Sequence, residues 1–235
     1  MLVLAFVLAA AGAADAGETL RGRLTSASGR ADFEGYTVWI EDAGKLPAVS
    51  QESSVRVMSQ VNKSFSPAWL AVRAGDKIDF ENLDNVFHNV FSLDKRNPFD
   101  LGLYKGKRHF AADLKTEIQG GDTTLRAFGA AGKYQIFCNI HPDMVATVVA
   151  FDHGYFAQSD KNGVFTLPAP PPGRYTLGVD GPRLREPAKI PIEFAAGAPL
   201  LSVSVSPARR AAKVKHTRKD GKDYPSDDDY APASK

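Results

Sequence analysis

Phe137-Cys138-Asn139-Ile140-His141-Pro142-Asp143-Met144, taken together with the distant pair His88-Asn89, decides the reading of the chain. Two imidazoles, one thiol and one thioether are the donors of a copper electron-transfer site, in which two His and one Cys form a trigonal plane and a weak Met lies on the axis. Cys138 would bind as thiolate, His88 and His141 as neutral imidazoles, and Met144 as the long axial ligand. A thioether beside a thiolate favours copper over zinc. Structural zinc sites close with four strong N or S donors, and catalytic ones want three strong ligands and a water. Each residue alone has a blander meaning: a structural His, a core Met, a Cys acting as a small hydrophobe. The joint pattern is what carries the chemistry.

With 235 residues, 43% of them apolar, the chain has material for one large or two small cored domains, and two are expected. The formal net charge is +2, and before the last thirty positions Lys and Arg are scattered among acids. That excludes a nucleic-acid-binding body and leaves proteins or small molecules as partners. Leu2 to Ala14 is almost wholly apolar, and Ala14-Asp15-Ala16 supplies a small-x-small cleavage pattern before Gly17, so residues 1–16 are expected to be a signal peptide. No Lys or Arg precedes the apolar run. A membrane span needs roughly 20 apolar residues, and no run in the chain reaches that, so no span is expected. The expected address is the periplasm or another exported compartment. Cys138 is the single cysteine. It has no intramolecular disulfide partner, and in an oxidising compartment metal ligation would protect it.

Along the chain, strand signals recur without a convincing helical segment. Thr19 to Leu24 and Tyr36 to Ile40 read as strands around an Ala27-Ser28-Gly29-Arg30 turn, and Ala43 to Glu52 as a connector. Trp69–Val72 and Ile78–Phe80 flank Gly75-Asp76 like a hairpin, and Val86–Ser92 is a strand carrying His88. Leu93 to Gly121, with Asn97-Pro98 and several glycines, reads as an irregular excursion. Thr123–Phe128 and Tyr134–Cys138 read as a strand pair, and Val145–Phe151 as a continuous apolar strand. Phe156–Ser159 and Val164–Leu167 form an Asn162-Gly163 hairpin, followed by strands at Tyr175–Val179, Ile190–Phe194 and Leu200–Val205. Residues 207–235 are highly charged and poor in large apolar side chains, so they are expected to stay disordered. Their basic half also suits an anionic membrane or an acidic partner.

From about Gln60 to Phe151 the chain resembles the cupredoxin family. Phe65-Ser66-Pro67, Val72-Arg73-Ala74-Gly75-Asp76-Lys77, Phe80-Glu81-Asn82, His88-Asn89 and the Cys138-x-x-His141-x-x-Met144 loop follow in family order. The short loop resembles that of the amicyanin branch. The resemblance implies that Asn89 ties the two ligand segments together by hydrogen bonds. It also implies that His141, with Pro142 beside it, forms the electron-transfer surface. The chain departs from the branch at Ile140, where amicyanins carry Pro. The backbone N–H groups of Ile140 and Asn139 are therefore expected to hydrogen-bond the thiolate and raise the potential. An unchanged or higher midpoint potential in Ile140→Pro would count against that.

The flanks resemble two parts of one carboxypeptidase regulatory-like, or prealbumin-like, domain. Leu20 to Leu24 and Tyr36 to Ile40 match its opening strands, and Asp160 to Leu167 with Pro172 to Leu177 its later ones. The expectation is all-β: a cupredoxin Greek-key β-sandwich at 53–151, inserted into a second, small prealbumin-like β-sandwich made of 17–50 and 152–206. His109, His153 and His216 lack neighbours for a second metal site, and no Ser-His-Asp or paired-carboxylate arrangement is credible, so no enzyme is expected. The function expected is an exported type 1 copper protein passing single electrons between redox proteins. The arrangement also resembles methylamine utilisation proteins, which implies an amine dehydrogenase-like donor and a cytochrome acceptor. The alternatives are copper storage, delivery or sensing, and a structural β-protein with a vestigial site.

Overall fold

The computed structural model describes residues 19–26, 29, 32–49, 55–105, 124–126, 128–211 and 214–224, with the backbone alone for 124–126. The expected signal peptide, most of the first turn, the end of the connector, residues 106–123 and the Asp227-Asp228-Asp229 run lie outside them. Two short strands open the chain, β1 (Thr19–Thr25) and β2 (Thr37–Ile40), followed by a 3-10 turn at Ala43–Lys45. Ten strands follow: β3 (Val55–Val57), β4 (Ser59–Val61), β5 (Ser64–Ser66), β6 (Trp69–Arg73), β7 (Lys77–Asp79), β8 (Phe87–Ser92), β9 (Phe99–Lys105), β10 (Thr124–Arg126), β11 (Gly132–Phe137) and β12 (Val145–Phe151). Five more complete it: β13 (Phe156–Gln158), β14 (Val164–Pro168), β15 (Gly173–Asp180), β16 (Ala188–Phe194) and β17 (Leu201–Ser204). The described chain is all-β, and no helix in it is long and apolar enough to cross a membrane.

The middle strands form one sandwich. A five-stranded sheet in the order β6-β12-β11-β8-β9 faces a three-stranded sheet β10-β7-β3, with β4-β5 as a separate small ribbon. Their shared core includes Met58, Leu70, Val72, Ile78, Phe80, Val90, Tyr134, Ile136 and Val148. Each fully buried aliphatic or Phe side chain there contributes roughly 1.5–3 kcal/mol. The first and last strands form a second sandwich. β1 lies between β14 and β17, while β2 lies between β13 and β15, with β16 outside β15. Leu20, Leu24, Val38, Ile40, Phe165, Leu177, Val179 and Val203 fill its core.

Alternation along β6 and β12 shows how the two sandwiches join. Leu70 and Val72, like Ala146, Val148 and Ala150, point into the first core. Their neighbours Trp69, Ala71, Val149 and Phe151 point outward into a third apolar cluster, against Trp39 and Phe156. A strand buried on both faces needs a near-continuous apolar run, and Val145–Phe151 is apolar except for Thr147, whose hydroxyl accepts from Gln135 Nε2. Gly178 pairs with Trp39 in register, and a Cβ there would lie 2.1 Å from the indole. Its absence lets Trp39 cross β15.

Polar contacts seal the junction. Trp69 Nε1–H donates to Thr37 Oγ1 at 3.0 Å, and Lys133 Nζ sits 4.6 Å over the Trp69 ring and 3.0 Å from Asp180 Oδ2. The Gln158 amide accepts from Ala71 N–H and donates to the carbonyls of Trp69 and Gly35. One side chain thus satisfies both the N–H and the C=O on the open edge of β6.

Three turns expected to close hairpins instead carry the chain from sheet to sheet. β6 pairs with β12 while β7 pairs with β3 and β10; β11 pairs with β12 and β8 rather than β10; β13 pairs with β2 while β14 pairs with β1. Two of these turns are tight, with Asp76 N–H on Arg73 O and Gly163 N–H on Asp160 O. Gly75 has φ 93°, and Asp76 Oδ2 accepts the Arg73 N–H at 3.0 Å. Burial of both sheets' inner faces, not turn length, chose the partners. Part of the expected irregular excursion is also regular: β9 pairs with β8 through a register shift between Asn89 and Phe91.

Candidate metal centre

The ligand segment is the turn between β11 and β12, and its own backbone closes it. Cys138 N–H donates to Met144 O at 3.2 Å and Met144 N–H to His141 O at 3.0 Å. β8 runs beside β11, with Phe91 opposite Phe137, which brings His88 to the same end of the sandwich. His88 Nδ1 lies 3.1 Å from His141 Nδ1, and Cys138 Sγ lies 3.6 Å from His141 Nδ1. One donor atom from each of the three residues falls within 4.8 Å of the others. His88 and Cys138 are fully buried, His141 is half-buried, and Met144 is 1% exposed in the same core as Cys138.

Hydrogen bonding fixes the state of these groups. His88 Nε2–H donates to Asp84 Oδ2 at 2.7 Å, which leaves Nδ1 as the ring nitrogen turned to the cluster. Burial alone would raise the Asp84 pKa. The N–H of Lys63, the His88 ring and the N–H of Asn62 outweigh it and hold this carboxyl below the usual carboxylate range. Asn62 and Lys63 reach it from a turn in which both have left-handed φ, 52° and 54°. The His141 pKa is pushed below the ordinary histidine value, first by burial and then by His88 and Lys63, so its neutral form is favoured. Two imidazole nitrogens facing each other at 3.1 Å next to a sulfur suit a cation placed between them. The donor set fits copper.

The structure gathers His88, Cys138 and His141 as the sequence leads one to expect, and it buries Met144 beside Cys138. The supporting residues differ. Asn89 turns its amide away from the ligand turn: Nδ2 donates to Asp100 Oδ1 at 2.6 Å and to Gly102 O at 2.9 Å, and Oδ1 is buried without a partner. Asn89 therefore does not itself tie the two ligand segments. Among the described residues no N–H of Asn139 or Ile140 reaches the sulfur; its hydrogen-bonding neighbour is His141 Nδ1. Asn139 Oδ1 instead accepts from Lys219 N–H at 2.9 Å, and Ile140 is 36% exposed. Pro142 is exposed beside His141.

Two contributions escaped the sequence. Asp84 lies four residues before His88 in an irregular stretch, where nothing local marks an acid as a histidine partner. Residues 214–224, expected to be part of a disordered tail, are instead folded against the ligand turn. The His216 ring stacks on Phe137 with centroids 4.1 Å apart, and its Nε2–H donates to Pro142 O at 3.0 Å. Tyr224 donates its hydroxyl to Cys138 O at 2.6 Å. Side-chain and backbone polar contacts, rather than a hydrophobic periodicity, hold this segment, so composition gave no sign of it.

Residues 52–150 match the family model described as copper binding proteins, plastocyanin/azurin family. No curated protein matches the chain. Among solved structures, a reduced amicyanin variant is 20% identical, covering 48% of this chain and 98% of its own, with a TM-score of 0.32. Amicyanin from Paracoccus versutus is 17% identical, covering 48% and 97%, with a TM-score of 0.30. A copper-containing nitrite reductase from Thermus scotoductus SA-01 is 21% identical, covering 48% of this chain and 26% of its own, with a TM-score of 0.30. With the family match, the all-β sandwich and the buried His-Cys-His donor cluster together, the segment 52–150 is a cupredoxin domain of the plastocyanin/azurin family of copper-binding proteins.

Proposed function

We propose that the chain is a single-electron carrier whose type 1 copper is held by His88, Cys138, His141 and Met144. The observation that carries this is the buried approach of two imidazole Nδ1 atoms and one sulfur, with the His88 tautomer fixed by Asp84. Copper supplies a one-electron couple between Cu(II) and Cu(I). The chain supplies a rigid seat: three of the four residues are fully buried, the turn is closed by its own backbone bonds, and both flanking strands are paired. Such a seat limits rearrangement between oxidation states. Four protein donors leave no position for a substrate, which favours a carrier over an enzyme.

His141, half-buried beside exposed Pro142 and Ile140, is the port through which redox proteins would exchange the electron. An amine dehydrogenase-like donor and a cytochrome acceptor are the partners we favour, with the apolar N-terminal run addressing the protein to the periplasm. The pairing of β1 with β14 and β17, and of β2 with β13 and β15, supports reading the flanks as one carboxypeptidase regulatory-like sandwich interrupted by the copper domain. On this reading we place the domain limits at 17–50, 53–151 and 152–206.

The test is to load the protein with Cu(II) and record its visible spectrum and voltammogram. An intense thiolate-to-copper band, a reversible one-electron wave and rapid exchange with a c-type cytochrome are expected. Binding without a reversible wave would favour storage or delivery. A second prediction concerns Asp84, whose negative charge on the His88 ring favours Cu(II). Asp84→Asn is expected to raise the midpoint potential by the order of tens of millivolts, read by voltammetry. A fall would contradict it.

A further inference from the structure

The segment that follows the second sandwich crosses the ligand turn and makes contact with three of its residues and with Phe137 at the end of β11. His216 stacks on Phe137 and bonds Pro142 O, Tyr224 bonds Cys138 O, and Lys219 N–H bonds Asn139 Oδ1. The segment is folded for this. Gly221 N–H donates to Arg218 O at 2.9 Å and Arg218 N–H to Lys222 O at 2.8 Å, turning the chain so that Tyr224 meets the edge of His216 at 5.2 Å. Lys219 Nζ also pairs with Asp100 at 2.5 Å, and Asp100 accepts from Asn89, the neighbour of His88.

We infer that His216, Lys219 and Tyr224 are positioning residues of the metal centre, forming a brace that holds the ligand turn and the His88 strand in one register. Both backbone groups of Cys138 are then fixed: its N–H inward on Met144 O and its C=O outward on Tyr224. The link between ligand segments runs from Asn89 through Asp100 and Lys219 to Asn139. A turn of this kind has few apolar contacts of its own on the solvent side and would otherwise open locally. The brace supplies the missing side.

The copper part of this inference rests on the function proposed above, so the test begins with full-length apo-protein. Tyr224→Phe and His216→Ala are compared with the parent by amide hydrogen exchange. Exchange at Cys138 and Met144 is expected to quicken about fivefold to tenfold, as the loss of one hydrogen bond implies, with no change at Val148 in the core of β12. His216→Phe keeps the ring on Phe137 and is expected to restore part of the protection. In the Cu(II) form, release to excess EDTA should quicken by a similar factor and the visible band should shift. Unchanged exchange, or an equal rise at Val148, would overturn the brace. A parent protein that fails to take up copper would overturn the proposed function, while the apo-protein exchange still decides the brace.

Discussion

Cys138→Ser is expected to abolish the visible absorption of the copper-loaded protein and to weaken Cu(II) binding by several orders of magnitude. The band arises from charge transfer out of a covalent thiolate, and a serine hydroxyl stays protonated near neutral pH and is a hard, weakly donating ligand. Cys138 is fully buried and belongs to the core of the first sandwich, so the exchange also buries a hydroxyl among Met144, Ile136 and Tyr104. That costs about 1–3 kcal/mol if the hydroxyl finds no partner. Optical titration, with circular dichroism to confirm the fold, separates the two effects. A variant that kept the band would place the thiolate elsewhere, and the chain has no other cysteine to supply one.

The second large effect is expected at Trp69, which the metal does not touch. Its ring is 6% exposed, packs with Phe151 and Trp39, carries Lys133 on one face and donates to Thr37. Trp69→Ala is expected to cost about 3–5 kcal/mol through the cavity alone and to leave Thr37 Oγ1 without its indole donor. Because the loss falls on the junction, calorimetry should show the two sandwiches unfolding as separate transitions where the parent shows one. Trp69→Phe keeps most of the apolar contact and is expected to lose about 1 kcal/mol for the missing hydrogen bond. A single unshifted transition in Trp69→Ala would mean that the sandwiches are not energetically joined there.

The contrast between these residues shows what the sequence discloses. Donor atoms have unusual chemistry and cluster in a short turn, so Cys138, His141 and Met144 announce themselves, and His88 follows from its adjacent strand. Strands announce themselves too, through β-branched and aromatic runs. Pairing does not. The Gly75-Asp76 and Asn162-Gly163 turns carry the residues of tight hairpins, yet in each case the two strands enter opposite sheets, because the choice depends on which faces the whole core buries. β9 was obscured by Gly102, whose φ of 73° accompanies the local irregularity opposite Asn89. Asp84 and the 214–224 brace act through single polar contacts across long separations, which leave no periodic trace.

The pairing of β2 with β13 also bears on how the chain folds. Trp39 lies opposite Phe156, and Ile40 N–H donates to Tyr155 O at 3.0 Å, although the whole copper-binding segment intervenes between them. To the outer sheet that segment is a single loop, and closing a flexible loop of such length delays contact, even though each doubling adds only about 0.6 kcal/mol. Once the inner sandwich has collapsed, its two ends are already held near each other and the effective loop becomes short. Folding should therefore proceed from the inside outward, with the copper domain acting as the nucleus on which the enclosing sheets assemble.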